Sequence, residues 1–203
     1  MRLSLTYDDG PSTSCTEQLL EVLAQYNAPA TFFMCGTFAH QRPDLVQSVL
    51  SAGHVIGNHT STHLDLRGLN RKSVDEELDG GVQSPFFRPP FGYYSADVVA
   101  SASARNMRLT LWDIDSFDWA LSSAAEIESC VASQVGDGGI ILMHDGDFTN
   151  IAGKRHASVE ATRRILSRYT AEGCEFVPLT GVALPGTPRK TALSTAPRIN
   201  SGA

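Results

Sequence analysis

Leu3-Ser4-Leu5-Thr6-Tyr7-Asp8-Asp9 is a short apolar run that closes on two adjacent carboxylates, and its pattern of strand, polar end and helical stretch recurs along the chain. Ala30–Met34 and His54–Asn58 read as second and third strands. Pro85–Phe87 reads as a short fourth, Arg108–Trp112 as a fifth, Gly139–Met143 as a sixth and Cys174–Val177 as a last one. Between them Leu19, Val22, Leu23 and Tyr26 fall at helix spacing, as do Leu45, Val46, Val49 and Leu50, then Val98, Val99 and Ala102, and later Val159, Thr162, Leu166 and Tyr169. Ala124–Val135 also reads as helix, and Arg71–Asp79 is polar and helix-prone. Near-continuous apolar strands alternating with helices predict an α/β fold, a parallel sheet covered by outer helices. About seven such units suit a distorted (β/α)7-type barrel, closed or nearly so.

At 203 residues the chain has room for one substantial core and no need of a second. Residues 1–182 are expected to form that domain. Residues 183–203 carry Pro185, Pro188 and Pro197 among Gly, Ser and Thr with no apolar period, so a disordered or surface-draped tail is expected there. A net charge of −6 argues against a nucleic-acid partner, which calls for a basic stripe. No apolar run approaches the roughly 20 residues that cross a bilayer. Met1 stands too close to Asp8 for a secretory segment to precede the first strand, so a cytoplasmic protein is expected, or a secreted one if a leading segment has been removed. Cys15, Cys35, Cys130 and Cys174 show no C-x-x-C pair and are expected to be reduced and mostly buried. Oligomeric state leaves no mark in the sequence.

Asp8-Asp9 and His59-Thr60-Ser61-Thr62-His63 together read as a metal site. One Asp and two imidazoles are the protein ligands of a zinc-type catalytic centre with open positions, and the spare carboxylate is then free to act as a base. Plainer readings stand beside this one. Paired Asp residues after a strand also cap turns and helices, and two histidines spaced i, i+4 share a face of any helix, about 5–6 Å apart, whether or not they bind anything. Thr60 stands where a zincin would carry its helical Glu, so any general base must lie elsewhere. Position is the stronger argument. Asp8 and Asp9 end strand one, His59 and His63 follow strand three, Arg88 follows strand four, Asp115 and Asp118 follow strand five, and His144 follows strand six. In β/α barrels the loops at the C-terminal strand ends build the working site, so these groups are expected to converge.

Thr6-Tyr7-Asp8-Asp9-Gly10-Pro11, His59–His63, Arg88-Pro89-Pro90-Phe91-Gly92, Asp115-Ser116-Phe117-Asp118-Trp119 and Leu142-Met143-His144 resemble, in order, the five motifs of the polysaccharide deacetylases, the NodB-homology group or carbohydrate esterase family 4. The resemblance spans roughly residues 2 to 182. It implies a NodB-type barrel and a hydrolase that removes N-acetyl groups from acetylated amino sugars, whether chitooligosaccharide, peptidoglycan-type or a small acylated metabolite. It also implies roles. Asp9, His59 and His63 would hold a divalent ion, Zn²⁺ first, with Co²⁺, Ni²⁺ or Mn²⁺ also suited to O/N donors. Asp8 would be the base, oriented by Arg88, although Arg88 could equally be a fold-stabilising ion pair. The Phe91 N–H would face the developing oxyanion; most relatives carry Tyr there, so a hydroxyl contact to substrate would be missing. His144 would be the acid, hydrogen-bonded by Asp118. Trp119, Leu142 and Pro89 would contact substrate, the first two lining an acetyl pocket, though either serves equally as core. Alternatives of the same superfamily are an O-acetyl xylan esterase or a cyclic-amide hydrolase, and outside catalysis a silent carbohydrate-binding relative.

Two stretches bear on the substrate. The segment between His63 and Arg88 is short and lacks a long apolar helix, which would trim one wall of a groove. The polar, Gly-punctuated loop Asp145–Arg155 beside His144 is expected to be either a solvated surface loop or a wall that narrows the site toward short substrates.

Overall fold

The first strand, β1 (Arg2–Gly10), does not stop before the carboxylates but carries both within it. In the computed structural model, which describes residues 1–179, there follow α1 (Thr16–Gln25), β2 (Ala30–Met34), α2 (Gly36–Gln41), α3 (Pro43–Ser51), β3 (Val55–Asn58), α4 (Arg71–Asp79), β4 (Phe86–Phe87) and α5 (Ala96–Ala104). The chain continues through β5 (Arg108–Leu109), β6 (Ile114–Asp115), α6 (Ala124–Ala132), β7 (Gly139–His144), α7 (His156–Ala171) and β8 (Glu175–Phe176). The tail expected at 183–203 lies outside the described residues.

Every strand pairing is parallel, in the order β5-β4-β3-β2-β1-β7-β6. β8 pairs only with Arg2 and Leu3, below the point where β2 begins to pair with β1 at Leu5. The parallel α/β barrel expected from the alternation is present as a curled half-barrel, with β5 and β6 as its two edges. β1 is an interior strand, held between β2 and β7. Alternation along β1 divides its side chains: Leu3, Leu5 and Tyr7 join Leu19, Val22 and Leu23 of α1, Ile127 and Val131 of α6 and Ile165 and Leu166 of α7 in the main core. Ser4, Thr6 and Asp8 turn to the other side, where Ser4 Oγ donates to Val177 O (2.8 Å) and Thr6 Oγ1 to Ile141 O (2.7 Å). Burying such polar groups is tolerated because each finds a partner.

The expected fifth strand, Arg108–Trp112, is cut short. Only Arg108 and Leu109 pair with β4, and a separate strand, Ile114–Asp115, pairs with β7 at the opposite edge. Residues 110–113 bridge the two edges, and the carbonyls of Thr110 and Leu111 are drawn to the buried guanidinium of Arg88 rather than to a ladder. Helix α2 carries no period long enough to announce it. Its Gly36 is required by space, since a Cβ there would lie 2.0 Å from Gly80 O. All four cysteines are free, Cys15 and Cys35 buried and the other two half-buried.

Candidate metal and catalytic centre

Successive residues of a strand point to opposite faces, so Asp8 and Asp9 could not both face one site on a regular β1. The pairing with β2 shifts between Asp8 and Gly10, and Asp9 adopts φ of 74°. This bulge turns Asp9 back to the side of Asp8. Both carboxylates then meet one ring: His59 Nε2 lies 3.7 Å from Asp8 Oδ2 and 3.4 Å from Asp9 Oδ1.

His59–His63 is not helical. It is a loop in which Thr60 and His63 both have positive φ (66° and 61°), so the two rings meet through a tight turn and not through the i, i+4 spacing of a helix face. The turn is held from three directions. Asn58 Oδ1 accepts Thr60 N (2.8 Å) while its Nδ2 donates to Leu78 O and Val82 O (both 2.9 Å). Gly36 N and Thr37 N, at the start of α2, donate to Thr60 O (2.8 Å) and Ser61 O (2.9 Å). Glu77, buried on α4, accepts Thr62 N (2.9 Å) and Thr62 Oγ1 (2.7 Å). Sequence reasoning missed Asn58, Glu77 and the role of α2; the one available signal was an acid at helix spacing from Val74 and beside Leu78, on the apolar face of α4.

His59 Nδ1 lies 2.7 Å from Arg88 O. A carbonyl only accepts, so this nitrogen carries the hydrogen, and in the neutral ring Nε2 turns a lone pair toward Asp9. His63 Nε2 approaches the same Asp9 Oδ1 at 3.2 Å, yet that buried oxygen has no hydrogen-bond partner among the described residues. Donor atoms of Asp9, His59 and His63 lie within 4.8 Å of one another. An unsatisfied carboxylate oxygen facing imidazole lone pairs is what a divalent cation requires, and a ring N–H anchored on a backbone carbonyl is the usual support of a ligating histidine. The residues fit a metal ion. Burial alone would raise the pKa of Asp9, but the two imidazoles and the charge of His144 hold it below the ordinary carboxylate range. Burial likewise disfavours the charged form of His59, yet Asp8 and Asp9 raise its pKa.

Arg88 is fully buried beneath the site. Nη1 donates to Asp8 Oδ1 (2.7 Å) and Thr6 Oγ1 (2.8 Å), Nε to Thr110 O (3.2 Å) and Nη2 to Leu111 O (3.1 Å), and the plane lies over the Phe33 ring at 4.1 Å. The two readings of this arginine merge, since the same group orients Asp8 and ties β1 to the seam between β5 and β6.

On the other flank, β7 pairs with β1 so that His144 lies opposite Asp8. Asp118 Oδ1 accepts from His144 Nδ1 (2.7 Å), and its Oδ2 accepts from His144 N (2.9 Å) and Ser158 Oγ (2.6 Å). Burial opposes charging His144, but Asp118, with Asp9 and Asp8 behind it, raises its pKa to about 9. Asp118 is lowered despite burial by the charge of that ring and its hydrogen bonds. Asp115, on β6, instead accepts from Phe117 N (2.8 Å) and shapes the turn. Asp145, also missed, is buried; its N donates to Asp8 O (3.2 Å), and its carboxyl accepts Thr16 Oγ1 (2.5 Å) and fills the space where a Cβ on Gly10 would lie. Burial, then Asp9 and Asp8, push its pKa up to about 7.

The remaining expected residues ring the centre unequally. Phe91 has φ of 59° at the tip of a tight turn following Pro89, which is buried. Trp119 is 49% exposed, which removes its core reading; Leu142 is buried on β7. The Asp145–Arg155 loop is more than solvated surface, because Thr13 N donates to Ile151 O (3.0 Å), Ser12 Oγ to Gly153 O (3.2 Å) and Arg155 Nε to Gly146 O (2.9 Å), and Phe148 stacks on His63.

Known proteins resemble the chain over most of its length. The polysaccharide deacetylase family model matches residues 2–110. A chitooligosaccharide deacetylase of Bradyrhizobium sp. (strain ANU 289) is 34% identical over 191 residues, covering 86% of this chain and 87% of its own. A peptidoglycan-N-acetylglucosamine deacetylase of Bacillus cereus is 36% identical over 185 residues, covering 86% and 84%. Among solved structures, the Bc1960 peptidoglycan N-acetylglucosamine deacetylase in complex with a naphthalenyl N-oxidanyl-benzamide superposes with a TM-score of 0.82 at 31% identity, covering 93% of this chain and 90% of that one.

Proposed function

This chain belongs to the polysaccharide deacetylase family and is a deacetylase-type hydrolase, and we propose that it cleaves the acetamide of an N-acetylated amino sugar or short oligosaccharide, releasing acetate and a free amine. The observation that carries the reading is the flanking of the Asp9, His59 and His63 cluster by Asp8 on one side and an Asp118-bonded His144 on the other. The relatives named for chitooligosaccharide and peptidoglycan N-acetylglucosamine support the substrate class. Zn²⁺ is our first choice of ion on the Asp-His-His donor set. When bound, such an ion supplies Lewis-acid polarisation of the acyl oxygen and of the attacking water.

The chain's own residues supply the proton movements. Asp8 Oδ1 is occupied by Arg88, so Oδ2 is the oxygen turned to the reaction, and it takes the proton of the attacking water. The Phe91 N–H donates to the oxygen of the tetrahedral adduct. An amine leaves poorly as an anion, so C–N cleavage awaits a proton on nitrogen. His144 gives it from Nε2, while Asp118 holds the opposite ring edge and keeps the imidazole charged until then. Trp119, exposed beside this flank, contacts substrate together with Leu142 and Pro89.

An acetate-release assay on N-acetylglucosamine oligomers of increasing length, acetylated xylan and cyclic amides, with and without chelator, tests the proposal. Chelator-sensitive release from the amino sugars is expected. Turnover confined to acetylated xylan or to cyclic amides would replace the substrate, and sugar binding without turnover on any of them would replace the function.

A further inference from the structure

His59 and His63 are supported in different ways. His59 has its Nδ1 hydrogen fixed on Arg88 O, whereas the buried His63 Nδ1 has no hydrogen-bond partner among the described residues. A ligating imidazole without such an anchor can rotate about its side-chain bonds, which smears the position of Nε2. Aromatic rings surround it instead. Phe148 stacks face to face on the His63 ring, centroids 4.0 Å apart and planes 16° from parallel. Phe91 meets it edge-on at 4.7 Å and 76°, and the His59 ring closes a third side at 5.0 Å and 64°. Phe91 and Phe148 also contact each other at 5.8 Å, nearly perpendicular.

Phe148 is presented by a rigid mount. Asp147 Oδ1 accepts Thr149 N (3.0 Å) and Thr149 Oγ1 (2.7 Å), and Asn150 N returns to Asp147 O (2.8 Å). The far side of the loop is bonded to Thr13 and Ser12, just after the bulge that orients Asp9. A ring at 39% exposure that keeps its face on an imidazole is there for the imidazole, because the same side chain could lie elsewhere on the surface at little cost.

We propose that Phe148 is the positioning residue of His63: its ring does for this imidazole what the Nδ1 hydrogen bond to Arg88 O does for His59, fixing the plane and aiming Nε2 at the ion shared with Asp9 and His59. This rests on the reading of those three residues as a metal site. Loss of an outer partner of a ligating histidine typically weakens metal binding about 10- to 100-fold.

The test is Zn²⁺ affinity of the purified full chain, by competition with a chromogenic chelator, for wild type, Phe148→Ala, Phe148→Tyr and His63→Ala, alongside the Tm of each metal-free protein. Phe148→Ala is expected to weaken Zn²⁺ at least about tenfold and to speed its release to excess chelator, at an unchanged metal-free Tm, with Phe148→Tyr restored to within about threefold of wild type. Its turnover should recover when Zn²⁺ is raised to saturation. Wild-type Zn²⁺ affinity in Phe148→Ala with a raised KM would make Phe148 a substrate contact and overturn the proposal. A loss of affinity matched by a fall in metal-free Tm would assign the effect to folding and overturn it too. A wild type that binds Zn²⁺ no better than His63→Ala would sink the metal reading itself.

Discussion

Replacing Asp118 by Asn removes one charge while keeping the size and planarity of the side chain. The carboxylate accepts three hydrogen bonds, from His144 Nδ1, His144 N and Ser158 Oγ. An amide has one oxygen to accept with. If that oxygen keeps His144 N and Ser158, the amide NH₂ turns to His144 Nδ1 and demands a lone pair there, which leaves the ring neutral. With Asp118 charged, the His144 pKa stands at about 9 against an ordinary 6.5; Asp118 is the largest raising cause, and without it burial, set against the smaller pull of Asp9 and Asp8, returns the value toward the ordinary one, about 6.5 as reference. At about pH 8 the wild-type ring is roughly nine-tenths protonated and the variant ring roughly 3%, a loss of about 30-fold in competent acid. Near pH 6 the two differ by less than about twofold. A bound ion would offset the pull of Asp9, so the wild-type falling limb sits at or below about pH 9. The assay is kcat/KM for acetate release from an N-acetylglucosamine oligomer across pH, at saturating metal. The falling limb should move down by about two pH units or more.

Stability follows with the sign of a raised pKa. The interaction is fully present below about pH 6.5 and is lost as pH climbs to about 9, and it is worth ~3 kcal/mol. Wild-type Tm should therefore decline over that window and the variant's should not. An Asp118→Asn enzyme slowed equally at pH 6 and pH 8, with its limb unmoved, would refute the assignment of His144 as an acid tuned by Asp118.

Other perturbations separate the roles of neighbouring groups. Asp9→Ala and His63→Ala should lose bound metal and activity together, by metal analysis and acetate release, whereas Asp8→Asn should keep the metal and lose turnover. His144→Ala should slow amide hydrolysis far more than hydrolysis of an activated acetyl ester, whose leaving group departs without a proton; equal losses on both would count against it. Glu77→Ala strands the Thr62 N–H that the carboxylate accepts, so a cost of about 1–3 kcal/mol in denaturant unfolding is expected, accompanied by weaker Zn²⁺ binding, with Glu77→Gln intermediate because one acceptor survives.

Much of this site could be read before folding because it sits where strands end. The apolar runs before Asp8, His59, Arg88 and His144 are long or well placed enough to mark strands, and a parallel β/α order brings their ends to one side. What resisted reading were departures from regular geometry. Nothing in Asp8-Asp9-Gly10 announces a bulge, since an Asp at positive φ costs little and leaves no compositional trace. His59–His63 imitates a helical spacing, but Asn58 just before it and Glu77, remote in sequence, impose a loop. The run Arg108–Trp112 has the composition of one strand and is divided because Arg88 claims its carbonyls. Phe148 lay in a stretch whose Gly and polar residues suggested only surface or a groove wall; its contact with His63 is set by tertiary anchoring to Ser12 and Thr13.

The side-by-side register of Asp8 on β1 and His144 on β7 has an engineering corollary. Adjacent strands of a parallel sheet stand a nearly invariant 4.7–4.9 Å apart, so the spacing between the backbone attachment points of proton acceptor and proton donor is gauged by main-chain geometry between two interior strands. Loops around the mouth can be lengthened, shortened or grafted to suit a new glycan without disturbing that gauge. Remodelling confined to loops that carry neither the His59–His63 turn nor the Phe148 mount should therefore alter selectivity while leaving the proton transfers unchanged.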